Sequence, residues 1–145
     1  MAIWSGNPTL EDIRVRSGGP GGLATHLGIE FTEIGADYLR GTMPVSPRVH
    51  QPMGVLHGGA SVALAETLGS VAAFLVVDRG KFRCLGQEIN ANHIRPVMEG
   101  LVTGTARPFH IGARSHVWGI EIRDQRERLV CVSRLTVAVV EWQPK

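Results

Sequence analysis

The sequence predicts an α+β fold in which an antiparallel sheet wraps one buried helix. Three observations carry this. A twenty-residue segment, 58–77, is apolar nearly all round and holds a single charge, Glu66. Two strand-like segments precede it and four follow. The four that follow are separated by short turn-forming stretches, the spacing of an antiparallel meander. A helix with no polar face must be covered on all sides, and a sheet curled around it does this.

Taken in order, Thr9 is placed to cap a short helix over 10–17, with Glu11 and Asp12 in its first turn. The run Gly18-Gly19-Pro20-Gly21-Gly22 then breaks the chain. No Gly-Lys-Ser/Thr follows it, so it reads as a turn and not as a phosphate loop. Residues 29–35 and 37–45 read as strands joined at Gly35, and Leu39, Gly41, Met43 and Val45 share one face of the second. A loop over 46–56 carries Pro47, Pro52 and Gly54. The long segment's Ala and Leu content makes it a helix, and Asp78-Arg79-Gly80 ends it. Strands are expected over 84–95, 101–108, 115–124 and 129–141, with Trp118, Ile120 and Ile122 on one face of the third.

The 145 residues suit one domain spanning 1–145 with a core of its own. At 43% apolar and 19% charged, the composition is not that of a disordered chain. A net charge of +2 argues against a polybasic nucleic-acid binder. The two cysteines, Cys84 and Cys131, sit in apolar stretches and read as core residues. Glycine is frequent, 18 of 145, which points to close backbone approaches or tight turns. The first seventeen residues lack the cationic start and apolar run of a secretory signal, so a cytoplasmic protein is expected. The helix has the length of a membrane span, but Glu66 would stand near its midpoint at a cost of roughly 2.5–3.5 kcal/mol. No aromatic belt flanks it, so a protein core and no membrane partner is the reading.

Glu66 is the central chemical feature. A carboxylate on an otherwise apolar helix is retained where it is paired or functional. Ser70 lies four residues on, sharing its face. The bland alternative is a structural Glu within a subunit interface; the functional one is a general base or nucleophile. His57-Gly58-Gly59 opens the same helix. The first N–H groups of a helix lack internal partners and lie at its positive end, and glycine lets a carbonyl come close. That combination makes an oxyanion site. No Gly-x-Ser-x-Gly elbow, His-Glu-x-x-His motif or Cys/His cluster competes with it, so neither a metal nor a bound cofactor is expected. A second concentration lies between residues 93 and 116: His93, Arg95, Arg107, His110, Arg114 and His116, with Glu99 as the only acid. Such a set suits a compact polyphosphate, or else an ordinary solvated sheet edge.

The run from Gln51 through His57-Gly58-Gly59 and Glu66 to Ser70 resembles the signature of hotdog-fold acyl-CoA thioesterases. It is most similar to the branch of Arthrobacter-type 4-hydroxybenzoyl-CoA thioesterase and 1,4-dihydroxy-2-naphthoyl-CoA thioesterase, within the phenylacetate-pathway thioesterase superfamily. The stretch from Gly86 through Asn92-His93-Ile94-Arg95, and the stretch Arg107-Pro108-Phe109-His110-Ile111-Gly112, resemble the same branch. The resemblance implies a curved antiparallel sheet around one central helix. It implies Glu66 as the catalytic carboxylate, the Gly58 N–H polarising the thioester carbonyl, and His57 and Gln51 orienting the carbonyl or the water, with Ser70 beside Glu66. It implies homodimers with active sites at the interface, Gln51, His57 and Gly58 coming from one subunit and Glu66 with Ser70 from the other, and dimers paired into homotetramers. His93, Arg95, His110 and Arg114 become candidates for gripping the coenzyme A nucleotide. The expected reaction is hydrolysis of aryl- or medium-chain acyl-CoA, coenzyme A being part of the substrate. The alternatives are a hotdog hydratase or dehydratase acting on enoyl-CoA, and a non-catalytic acyl-CoA-binding subunit.

Overall fold

The computed structural model describes residues 1–17 and 22–143. The expected turn at 18–22 lies outside these residues except for Gly22. The elements are α1 (Leu10–Ser17), α2 (Leu23–Leu27), β1 (Glu30–Ile34), β2 (Leu39–Val45), α3 (Gly58–Val76), β3 (Phe82–His93), β4 (Gly100–Ile111), β5 (Ser115–Arg123) and β6 (Leu129–Glu141). Thr9 caps α1 as expected. Asp12 N–H donates to Thr9 Oγ1 at 3.1 Å, and Asp12 Oδ2 accepts from the Thr9 N–H and hydroxyl, each at 2.8 Å. This reciprocal pair satisfies donors that the first turn leaves open. The short α2 was not anticipated; Gly28, at φ +69°, closes it.

All pairings are antiparallel, in the order β1-β2-β4-β5-β6-β3. The meander holds for β4, β5 and β6 but not for β3, which pairs with β6 at the far side. Turn spacing alone does not reveal this, because the 94–99 connection is long enough to span more than one strand. Crossing three strand spacings needs about 14 Å, and six extended residues reach about 20 Å. The consequence is a long edge strand, β3, joined on one side only to the sheet of the described residues. Pairing shifts by one residue at four places, Phe31/Glu33, Gly86/Glu88, Pro108/His110 and Ile122/Arg123. Such bulges bend and twist strands, and here they curl the sheet around α3.

The helix runs down the concave face. Leu64, Ala65, Leu68, Ala72 and Ala73 have no exposure and pack against Leu39, Met43, Val102, Ile122 and Leu135. Each leucine side chain so buried stabilises the fold by about 1.5–3 kcal/mol. Glycines in the sheet admit the helix: a Cβ on Gly104 would stand 2.5 Å from Leu68 Cδ1, and one on Gly41 2.8 Å from Leu68 Cδ2. The apolar length that resembled a membrane span is therefore core on one side. The opposite face, with Val62, Ala63, Glu66, Thr67, Ser70 and Phe74, is half-buried.

Candidate active site

The loop before α3 is fixed by backbone pairing. Leu56 N–H donates to Val97 O at 2.7 Å and His57 N–H to Val49 O at 2.7 Å. These bonds aim the chain into the helix. His57 is its N-cap, and its Nδ1 accepts from Gly59 N–H at 2.8 Å. An accepting Nδ1 carries no proton, so the neutral ring holds its proton on Nε2. Ala60 and Ser61 N–H both donate to His57 O, at 3.0 and 3.3 Å. Among the described residues this leaves the Gly58 N–H as the first-turn donor without a protein partner. Gln51 lies beside it. Its side-chain oxygen accepts from Met53 N–H, which leaves the amide NH₂ as its remaining donor group.

Gln51, Gly58, Ser61, His93 and Arg95 line one cavity of about 260 Å³, walled by Val55, Leu56, Ile94 and Val130. The sequence did not single out Ser61. It also did not reveal that His93 packs against Gly58: a Cβ there would lie 2.6 Å from His93 Nε2. The contact spans thirty-five positions of chain and depends on β3 running past the start of α3.

Glu66 and Ser70 are half-buried on the outward face of α3, and Ser70 Oγ donates to Glu66 Oε1 at 3.3 Å. The carboxylate rests on β3 at Gly86, where a Cβ would come within 2.2 Å of Oε1. Glycine at this position is what lets the acid lie against the strand. Glu66 is eight residues from Gly58 on the same helix, about 12 Å along its axis. Within one chain the acid and the bare N–H therefore do not meet.

The basic window does not form one patch. His93 lies at one end of β3, paired with Cys131, whereas Arg114 O accepts from Val139 N–H beside the β4–β5 turn. From Cys131 to Ala138 is seven residues of β6, about 23 Å. Arg95 stays with His93, and His110 with Arg114. Two members of the window serve other ends. Arg107 pairs with Asp37 at 2.6 Å and lies over the Tyr38 ring on the outer face of the sheet. His116 is 1% exposed beside Trp118, with no partner for Nδ1 among the described residues. Burial pushes its pKa below the ordinary 6.5, and nearby His110 adds to this against a hydrogen bond that the ring donates to the Gly112 backbone. Strand alternation explains the split, since neighbours in sequence face opposite sides.

Neither cysteine is activated. Burial raises the Cys84 thiol to about 11 and raises Cys131 as well, so both stay protonated. Among the described residues no three His, Cys, Asp or Glu side chains converge as a metal site.

A bare helix N-terminus, a capping His, an oriented Gln and a helix carboxylate are the parts of an acyl-transfer site. The family model of the thioesterase superfamily matches residues 53–131, which hold all of these except Gln51. The chain belongs to the thioesterase superfamily. It is 49% identical to the 1,4-dihydroxy-2-naphthoyl-CoA hydrolase of Escherichia coli, over 95% of this chain and 99% of that one. It is equally identical to the proofreading thioesterase EntH of Cronobacter turicensis, over 95% and 98%. Among solved structures, a mutant thioesterase of Pseudomonas aeruginosa superposes with a TM-score of 0.93 at 42% identity, covering 97% of this chain and all of that one. A thioesterase of Haemophilus influenzae superposes with a TM-score of 0.90 at 46% identity, covering 96% and 95%. The chain is thus a thioester hydrolase with the hotdog fold.

Proposed function

We propose that the protein hydrolyses aryl- or medium-chain acyl-CoA thioesters in the cytoplasm, with interface active sites in a homodimer that pairs into a homotetramer. The unpartnered Gly58 N–H at the start of a buried helix carries this reading. A thioester carbonyl laid on it acquires a donor where negative charge develops, and the helix dipole adds to the effect. Gln51 and the Nε2–H of His57 orient the carbonyl or the water. Glu66 then removes a proton from water as hydroxide adds to the carbonyl carbon, or its carboxylate adds directly and forms an anhydride that water opens. In either course the C–S bond breaks and the coenzyme A thiolate leaves to take up a proton. Ser70 steadies the carboxylate oxygen.

The 12 Å between Gly58 and Glu66 along the helix axis supports a site shared between two chains. The free edge of β3 supplies the means, since an unpaired edge is a template for a second strand. Glu66 sits over Gly86 and Gly58 against His93. Antiparallel pairing of two β3 edges, centred near Ile89 and Asn90, sets Gly86 of one chain across from His93 of the other. Glu66 then faces the partner's Gly58. The same pairing brings Arg95 of one chain toward the partner's His110 and Arg114, candidates for the nucleotide.

The test is thiol release from a panel of aryl-, acyl- and 2-enoyl-CoA esters by wild type and Glu66→Gln. Turnover by wild type with at least a ~10²-fold loss of kcat in the variant, about 2.7 kcal/mol of barrier, is expected. Equal activity in both, or hydration of the enoyl ester without thiol release, overturns the reading. Mixing inactive Glu66→Gln with inactive His57→Ala chains is expected to restore part of the activity, because mixed dimers contain one intact site. No recovery after subunit exchange overturns the interface assignment.

A further inference from the structure

We infer that His93 is a second oxyanion donor, acting beside the Gly58 N–H on the thioester carbonyl and not on the nucleotide of coenzyme A. The inference rests on the Gly58 reading above. A Cβ built on Gly58 lies 2.6 Å from His93 Nε2 and 3.0 Å from both ring carbons flanking it. A Cβ stands about 1.5 Å from its Cα, so Nε2 is at most about 4.1 Å from the Gly58 α-carbon. The amide nitrogen is about 1.46 Å from the same atom, so the two nitrogens are at most about 5.6 Å apart. One oxygen within ~2.9 Å of each, an ordinary hydrogen-bond length, fits that span. Both residues line the same 260 Å³ cavity, together with Gln51.

The surroundings favour this role. His93 has no hydrogen-bond partner among the described residues, so its ring nitrogens are free for a ligand. The ring is at the mouth of a helix whose exposed dipole end already attracts negative charge. A neutral imidazole donates from Nε2 to the carbonyl, and a protonated one does so with a charge. His57 is not free to turn both nitrogens to the substrate, because its Nδ1 is held by Gly59 N–H. The nucleotide, at the far end of a long pantetheine arm, has no call on a ring pressed against the helix start.

The experiment compares wild type, His93→Ala and His93→Gln on an acyl-CoA and on the N-acetylcysteamine thioester of the same acid, which lacks the nucleotide. A carbonyl donor predicts that His93→Ala loses 10²–10³-fold in kcat on both substrates with KM little changed. His93→Gln, which keeps an N–H donor, recovers part of that loss. A rise in KM confined to the full coenzyme A ester overturns the inference and returns His93 to the nucleotide. Wild-type kcat in His93→Ala while Glu66→Gln is inactive overturns it alone. A wild type that cleaves no thioester overturns the underlying reading instead.

Discussion

Replacing Gly86 by Ala separates catalysis from stability. The new Cβ would stand 2.2 Å from Glu66 Oε1 and 3.3 Å from its Cδ, so the oxygen must retreat about 1.2 Å to reach ordinary contact at 3.4 Å. The obstacle is the end of a flexible side chain, and the carboxylate moves while the strand stays. Its bond from Ser70, already 3.3 Å long, is given up in the process. A displacement of ~1 Å at a reacting group costs on the order of 10²-fold in rate, about 2.7 kcal/mol of barrier. Gly86 is not in the left-handed region. Alanine there restricts the unfolded chain and stabilises the fold by about 0.4–1 kcal/mol. Steady-state kcat with an acyl-CoA ester is expected to fall ~10²-fold, while Tm stays level or rises by roughly 1–4 °C. Wild-type kcat in Gly86→Ala refutes the placement of Glu66 against β3. A fall in kcat matched by a fall in Tm refutes the argument that the side chain yields and the strand does not.

Two further outcomes concern the cap and the buried histidine. His57→Ala loses the acceptor for Gly59 N–H and is expected to destabilise by about 1 kcal/mol, read as a Tm lower by ~2–4 °C; His57→Asn restores the stability and not the activity. His116, with its pKa lowered by burial, is neutral in the fold and takes a proton more readily when unfolded. The stability this contributes is complete above pH ~6.5 and is lost as pH falls from there toward the folded value. His116→Leu is expected to show a shallower decline of Tm between pH 7.5 and 5.5, and an unchanged slope removes His116 from the explanation.

Local pattern made α3 legible to within one residue, because twenty apolar residues with one charge describe a buried helix wherever it sits. The cap at Thr9 and the alternation through Leu39, Gly41, Met43 and Val45 were legible for the same reason. The place of β3 was not, since alternation says which face of a strand is buried and nothing of which strand lies beside it. The basic window misled through the same limit. Arg107 and His116 are near His110 in sequence, but the pleat sends one to Asp37 outside and the other to Trp118 inside. The frequent glycines proved to be close approaches at Gly41, Gly58, Gly86 and Gly104. Their partners come from distant elements that composition does not name.

The bulge in β3 sets which residues of that strand see the helix. Gly86 and His93 are seven positions apart, an odd number, and a regular strand would send them to opposite faces. The extra residue, Gln87, resets the alternation, so Cys84 and Gly86 point inward before it and Ile89, Ala91 and His93 after it. It acts as a phase shifter between the half of the strand that seats the acid and the half that meets the oxyanion donor. Its side chain is exposed, so what matters at this position is the presence of a residue and not its kind. Deleting Gln87 would flip His93 out of the cavity and leave the carboxylate's seat intact, although no residue named in the chemistry would have been touched.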